Sequence, residues 1–330
     1  MRRNSEERLL VGVYVDDLII TGSSKEAIHW FKQQMQSTFS MSELGLLSYY
    51  LAIEVHQGDD AITLKQASYP AKAVDKGGLT GCHPVHVLME PRLKLSKDSA
   101  NSPAEKKLYR SIVGSLRYLL HTRPDIALAV GYISRFMEAP TTERWAAVKH
   151  LQMYVSETLN FGCRYKKGSV EPQLVGYNNA DLAGDVDDRK STSGTVFVFG
   201  GSAISWHSQK QKVVALSSCE AEYMASTTAA RTGVWLRQML RDLLGEPRRK
   251  TMLLIDNKSA IQLCKNPVFH DRTKHIETRF HFIRECVQDG RIAVDYVHTD
   301  EQLADILTKA LPREMFHELR EKLGMININS

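Results

Sequence analysis

The sequence predicts a mixed α/β fold in two parts, and three observations carry that reading. Two apolar runs near the start, residues 9–15 and 18–20, are interrupted by Asp16-Asp17, which is the pattern of a strand–turn–strand unit. Residues 105–151 hold three consecutive segments with apolar side chains at helical spacing. Beyond residues 165–172, a stretch of Lys, Gly, Ser, Glu and Pro, strand-like and helix-like patterns alternate as in an α/β domain.

The elements follow in chain order. The run 9–15 is rich in Val and Leu and reads as a buried strand, while Ile19 and Ile20 lead into Thr21-Gly22-Ser23-Ser24, a turn and helix-start signal. Asp16 and Asp17 are therefore expected at the tip of a buried hairpin. A carboxylate pair there is costly unless cations compensate it, and divalent metal serving phosphoryl transfer is the usual compensation. Ile28, Phe31 and Met35 predict a helix over 25–39, and residues 49–65 predict two short strands around Gln57-Gly58-Asp59-Asp60. Residues 77–102, rich in Gly, Pro and Ser, read as an extended connection. A helix over 105–120 carries Leu108, Ile112, Leu116 and Leu119 on one face; Pro124 opens a second to Met137, and Thr142 opens a third through Trp145, Val148 and Leu151. No internal repeat and no low-complexity tract interrupts this order.

Composition narrows the function classes. A chain of 330 residues accommodates two domains, and its net charge of +5 is compatible with nucleic acid without demanding it. No apolar stretch reaches the ~20 residues of a membrane span. Arg2 and Arg3 are not followed by an uninterrupted apolar core, which argues against a secretory signal. Cys82, Cys163, Cys219, Cys264 and Cys286 are scattered, odd in number and form no Cys-x-x-Cys, so reduced thiols in an intracellular (cytoplasmic or nuclear) compartment are expected rather than disulfides or zinc.

At this point the chain resembles a known family. Tyr14-Val15-Asp16-Asp17 followed by Leu18-Ile19-Ile20-Thr21-Gly22 is similar to the palm hairpin of the reverse transcriptases of copia-type LTR retrotransposons. Phe39-Ser40-Met41-Ser42-Glu43-Leu44-Gly45 and Tyr49-Tyr50-Leu51-Ala52-Ile53-Glu54 match the segment after it, and Thr122-Arg123-Pro124-Asp125-Ile126-Ala127 matches the later connecting region. Asp188-Arg189-Lys190-Ser191-Thr192-Ser193-Gly194 and Ala304-Asp305-Ile306-Leu307-Thr308-Lys309 resemble the ribonuclease H part. The resemblance implies a truncated reverse transcriptase palm with a helical thumb and connection over 1–168, then a ribonuclease H-like α/β domain over 169–330. Enzymes of this family place a third metal-binding Asp on a strand well upstream of the hairpin. Only about a strand's length precedes Tyr14, so fingers and half the palm are missing, and Asp16 and Asp17 are expected to stand solvated without the partner that completes a two-metal site. A DNA or RNA template-primer and the missing N-terminal part of the polyprotein are the implied partners.

For the second part the resemblance implies cleavage of the RNA strand of an RNA–DNA hybrid by two Mg²⁺ ions about 4 Å apart. Four acids hold them, from the first strand, the first helix, the fourth strand and a late helix. The first-strand position falls in Tyr177-Asn178-Asn179-Ala180-Asp181, where copia-type elements usually read Tyr-Ser-Asp-Ala-Asp, so Asn179 stands at the ligand. A neutral amide is a weaker ligand and cannot bridge two cations. Asp181 lies about 7 Å further along the same strand face, and its alternative is a structural turn acid. Ser217 and Glu220 fit a capping box, leaving Glu222 as the second acid. Asp256, ending a strand over 251–255, is the third, the alternative being a plain helix N-cap. Asp305, on an amphipathic helix among apolar neighbours, is the fourth. His298 corresponds to a loop His in retroviral ribonucleases H, or is an exposed loop His. Phosphate contact is expected from Lys210 and Lys212 and from Arg272, Lys274, His281 and Arg284, the alternative being a solvated charged face. Trp206 and Trp235 are expected in the core, the alternative being base-stacking residues. Two functions follow: a Mg²⁺-dependent hybrid endonuclease weakened at Asn179, or a nucleic-acid-binding remnant that does not cut.

Overall fold

The computed structural model describes residues 7–79, 81–83, 85–90, 93–168, 172–245, 250–266 and 281–328. The chain opens with a hairpin of β1 (Leu9–Tyr14) and β2 (Asp17–Gly22), antiparallel with Tyr14 opposite Asp17, followed by α1 (Lys25–Thr38). Ser24 caps α1, its Oγ accepting from the Ala27 N–H at 3.1 Å. The hairpin is a two-stranded sheet on its own, and this corrects the expectation that it is buried. Val13, Tyr14 and Val15 are 69, 53 and 80 % exposed. A Val- and Leu-rich run signals a strand that wants cover on both faces, but among the described residues no third strand pairs with it. Asp16 and Asp17 are accordingly exposed.

Next come β3 (Tyr49–Tyr50), β4 (Ile53–Gln57), β5 (Ala61–Lys65), α2 (Ser68–Lys76) and the long connection. Three helices follow: α3 (Lys106–Leu119), α4 (Ala127–Ser134, entered through a 3₁₀ turn Pro124–Ile126) and α5 (Thr142–Glu157). α3 buries Tyr109, Ile112, Val113, Leu116 and Leu119, the face its apolar spacing predicts with Tyr109 and Val113 added. β6 (Phe161–Lys166) then pairs antiparallel with β5.

The second part begins with β7 (Leu174–Ala180), β8 (Thr192–Phe199) and β9 (Ser202–Lys210), an antiparallel meander. The long α6 (Ser218–Leu244) crosses back to β10 (Thr251–Ile255), and α7 (Lys258–Lys265) and α8 (Phe282–Gln288) lead to β11 (Ile292–Tyr296). β10 lies parallel to both β7 and β11, so the sheet order is β11-β10-β7-β8-β9. One core lies between this sheet and α6, α7 and α8, around Phe197, Tyr223, Leu253 and Ile283.

The chain does not end there. A 3₁₀ turn (Leu303–Leu307) and α9 (Arg313–Lys322) pack their apolar residues into the core formed by α3, α4 and α5, and β12 (Met325–Asn327) pairs with β6, completing the sheet β12-β6-β5-β4-β3. The last 25 or so residues thus tie the second part to the first. All five cysteines are free thiols. No described helix is long and apolar enough to cross a membrane.

Candidate nuclease site

The first-strand position is set by the period of β7. Asn179 is buried near the end of that strand, and its side-chain amide donates to Asp305 Oδ1 and, at 3.3 Å, to Thr308 Oγ1. Asp305 is fully buried, not on an amphipathic helix as expected but in the 3₁₀ turn Leu303–Leu307, because the local chain is pulled inward at three points. Gln302 donates to the Asn178 carbonyl at 3.0 Å, Ser208 Oγ donates to the Leu307 carbonyl at 2.7 Å, and Leu303, Ile306 and Leu307 join the helical core.

Gly194 on β8 makes that approach possible. A Cβ there would stand 2.8 Å from Leu307 Cβ and 2.9 Å from the Ala304 carbonyl oxygen, closer than packed atoms allow. The glycine of the Asp188–Gly194 block is therefore steric, permitting the Asp305 turn to lie on the sheet. We expect Gly194→Ala to displace this turn and destabilise the chain by about 1–3 kcal/mol, read as a lower urea midpoint; an unchanged midpoint would remove this role.

α6 supplies the second acid. Ser217 caps it, accepting from the Glu220 N–H at 3.2 Å, and Glu220 reaches back to the Leu216 N–H at 2.9 Å, so Glu220 serves the helix end. Glu222, one turn into the helix, is buried, and its Oε1 accepts from the Ala180 N–H at 3.0 Å while Oε2 is buried without a partner. Asp256 follows β10 directly. The cap of α7 is Asn257, whose Oδ1 accepts from the Ala260 N–H at 3.0 Å, so Asp256 is not spent on capping; Thr299 Oγ1 donates to it at 3.4 Å.

Electrostatics link the three acids. Burial, reinforced by the charges of Asp256 and Asp305, raises the Glu222 carboxyl well above the ordinary range. Asp305 is raised by burial and by Asp256, against the pull of Lys309. Lys309, four residues on and given no role by the sequence, places Nζ 2.7 Å from Asp305 Oδ2. The arrangement is one of confined negative charge partly neutralised by one ammonium. Its donor type, its surplus of charge and the orphaned Glu222 oxygen fit a divalent cation. The side chains are nonetheless not drawn into a ready cluster: among the described residues no three His, Cys, Asp or Glu side chains stand close enough to hold a metal as they are. Asn179, with its N–H₂ turned to Asp305, contributes no charge.

Other expected site residues are placed differently. Asp181 lies just past β7 and accepts from the Thr192 N–H, fastening the β7–β8 loop; burial pushes its carboxyl up to about 6. His298 is exposed and pairs with Asp300 at 3.2 Å. Lys212 is exposed. Arg284 is buried, donating to the Leu263 carbonyl at 2.8 Å and lying over the Tyr223 ring, and His281 sits 3.2 Å from the Tyr223 hydroxyl, so neither forms a solvated cationic face. Arg272 and Lys274 lie outside the described residues. Trp206 is half-buried, donating to the Leu120 carbonyl at 2.9 Å, whereas Trp235 is 60 % exposed, against expectation.

Lys210 is committed to acids. Its ammonium lies 2.6 Å from Asp185 and 2.7 Å from Asp188; Asp185 also pairs with Arg135 at 3.0 Å, and Asp187 accepts from Ser96 and from the Lys97 N–H. This cluster fastens the 185–192 loop to Arg135 just after α4 and to Ser96 and Lys97 in the connection before α3. Burial raises the Asp185 carboxyl, but Lys210 and the backbone N–H groups of Asp187 and Asp188 more than offset that, and its net shift is downward. A lowered carboxyl stabilises the fold above the unfolded value, near 4, and stops doing so as pH falls through the folded value. We expect Lys210→Met to lower the melting temperature at pH 7, by an amount that shrinks below about pH 4, with the salt dependence of hybrid binding unchanged; a reduced salt slope would restore Lys210 as a phosphate contact.

The family described as reverse transcriptase (RNA-dependent DNA polymerase) matches residues 1–91. The chain is 40 % identical over 334 residues to the Retrovirus-related Pol polyprotein from transposon TNT 1-94 of Nicotiana tabacum, covering 98 % of this chain and 25 % of that protein. It is 31 % identical over 233 residues to the Putative transposon Ty5-1 protein of Saccharomyces cerevisiae, covering 68 % of this chain and 74 % of that one. Among solved structures, the N-terminal RNase H domain of Rv2228c from Mycobacterium tuberculosis aligns with 46 % of this chain and 97 % of its own at 14 % identity and a TM-score of 0.30, too slight a likeness to bear weight. The chain spans about a quarter of the length of the plant polyproteins it matches.

Proposed function

Because the chain belongs to the Pol polyproteins of copia-type LTR retrotransposons, we propose that residues 169–330 form a ribonuclease H domain directed at RNA–DNA hybrid and disabled at one ligand position, Asn179. Residues 1–168 are the end of the reverse transcriptase. The observation that carries this reading is the convergence of four sequence-distant positions, Asn179, Glu222, Asp256 and Asp305, around the end of β7. A purely structural role leaves one Glu222 oxygen buried and, among the described residues, unpaired.

Glu222, Asp256 and Asp305 would hold Mg²⁺, which when bound supplies water activation and stabilisation of the leaving oxygen. The chain's own residues set how well the site is prepared. Glu222 is oriented by the Ala180 N–H, and Asp305 is held on one side by Lys309 and on the other by the Asn179 amide. With Asp at 179 that contact becomes a repulsion between two carboxylates, which a cation relieves; with Asn it is a hydrogen bond that competes with the cation for Asp305. Binding of hybrid with little cutting is therefore the expected behaviour of the chain as it stands. Polymerisation through Asp16 and Asp17 would need an upstream Asp and the fingers from elsewhere in an intracellular polyprotein, in keeping with their exposed tip.

The site assignment is tested in the background of Asn179→Asp with an RNA-labelled hybrid in Mg²⁺. Cleavage is expected to be lost on adding Glu222→Gln or Asp305→Asn, and kept on adding Asp181→Asn, since an amide oxygen can still accept from the Thr192 N–H. Loss with Asp181→Asn and survival with Glu222→Gln would move the site to the wrong side of Ala180.

A further inference from the structure

Two adjoining hollows, about 530 and 460 Å³, run beside α6 and share Arg231 and Trp235. The larger lies between the second half of α6 and the starts of β7 and β10, walled by Leu174, Val234 and Leu240 and rimmed by Arg231, Arg237, Arg241, Lys250 and Arg291. The smaller opens on β9, past Ser205, His207 and Thr228. Among the described residues no Asp or Glu lines either one. Arg241 and Arg291 are paired with Asp242 and Asp289, whereas Arg231 and Lys250 make no ion pair among the described residues. Trp235, between the two hollows, is expected in the core with base stacking as the alternative, and the fold leaves it 60 % exposed.

This place is not the candidate nuclease site. Trp235 is thirteen positions along α6 from Glu222, roughly 20 Å at the helical rise, and the larger hollow meets β7 and β10 at the ends opposite to Asn179 and Asp256. We propose that this groove binds a single-stranded stretch of nucleic acid, with a base stacked on Trp235 and its flanking phosphates on Arg231 and Lys250. An exposed indole beside Arg231 and Lys250, with apolar walls and, among the described residues, no lining carboxylate, suits a ligand that alternates flat rings with anions. A duplex hides its rings within the stack and presents phosphates alone, which uses neither the indole face nor the apolar walls. Two compartments divided by the Trp235–Arg231 pair suit successive nucleotides. The inference is independent of whether the chain cleaves hybrid.

The test is fluorescence anisotropy of an end-labelled, unstructured single-stranded oligonucleotide with the full chain, in EDTA so that no cleavage intervenes. Trp235→Ala is expected to weaken binding about tenfold, the scale of one lost base stack, while Trp235→Phe retains most of it. Arg231→Gln is expected to lower the slope of log affinity against log salt by about 0.7. Unchanged affinity in Trp235→Ala would overturn the proposal. So would displacement of the oligonucleotide by a Glu- and Phe-rich peptide at lower concentration than by unlabelled oligonucleotide, which would make the groove a peptide site.

Discussion

Asn179→Asp is expected to raise Mg²⁺-dependent cleavage of an RNA–DNA hybrid by about a hundred- to a thousandfold. A metal ion that fixes water and leaving group contributes several kcal/mol to the barrier, and each ~1.4 kcal/mol is tenfold in rate. Asn179 removes one charge from that arrangement and adds a donor aimed at the Asp305 carboxylate. The substitution is conservative in shape, so the buried pocket around Thr308 and Asp305 need not be rebuilt. The expected gain thus belongs to the cation and not to repacking, and it should vanish in Ca²⁺, whose larger, less regular coordination suits this chemistry poorly.

The second large effect lies far from the site. Arg123 is buried and makes a two-pronged contact with buried Asp125, Nε to Oδ1 at 2.9 Å and Nη2 to Oδ2 at 2.8 Å. Two further N–H groups donate to the carbonyl and hydroxyl of Thr158, each at 2.8 Å, and Tyr154 donates to Asp125 at 2.7 Å. Arg320, from α9, reaches the Tyr154 hydroxyl at 3.1 Å, so the network joins the helical part to the end of the chain. Burial raises the Asp125 carboxyl, yet Arg123 and Tyr154 more than offset this and hold it below its ordinary value. Arg123→Met strands that carboxylate in the core, and a loss of about 3–5 kcal/mol is expected, read as a lower urea midpoint. Adding Asp125→Leu should recover part of it, because the penalty is the unpaired charge rather than the missing attraction. A double variant as unstable as the single would refute that explanation. With the folded carboxyl lowered, the pair stabilises above the unfolded value near 4, and this contribution fades as acid brings the pH down through the folded value.

How much of this was legible in the sequence depends on the range of the forces involved. α1, α3, α5 and the capping box at Ser217 were legible because apolar spacing and caps act within a few residues. The convergence on the end of β7 was readable only through the resemblance, since no spacing joins Asn179 to Asp305 across more than a hundred residues. β12 is three residues long, too short to show any period, and its pairing with β6 is set by α9 packing into the helical core. Asp305 falls in a 3₁₀ turn because Gln302 and Ser208 hold its ends, which no local pattern reveals. Lys210 looked like a free cation since its partners, Asp185 and Asp188, meet it only when β8 and β9 pair. Trp235 departs from the core expectation because a large aromatic is buried only where a neighbouring element covers it, and here a hollow lies beside it.

The central claim is that Asn179, Glu222, Asp256 and Asp305 are one cation site weakened at its first position. Mn²⁺, a paramagnetic stand-in for Mg²⁺, reads this directly when titrated into the chain and into Asn179→Asp and followed by electron paramagnetic resonance. The expected result is weak binding by the chain as it stands, at least about tenfold tighter binding by Asn179→Asp, and loss of that gain on adding Asp305→Asn. Equal binding by the chain and by Asn179→Asp would contradict the claim, because position 179 would then not face the cation at all.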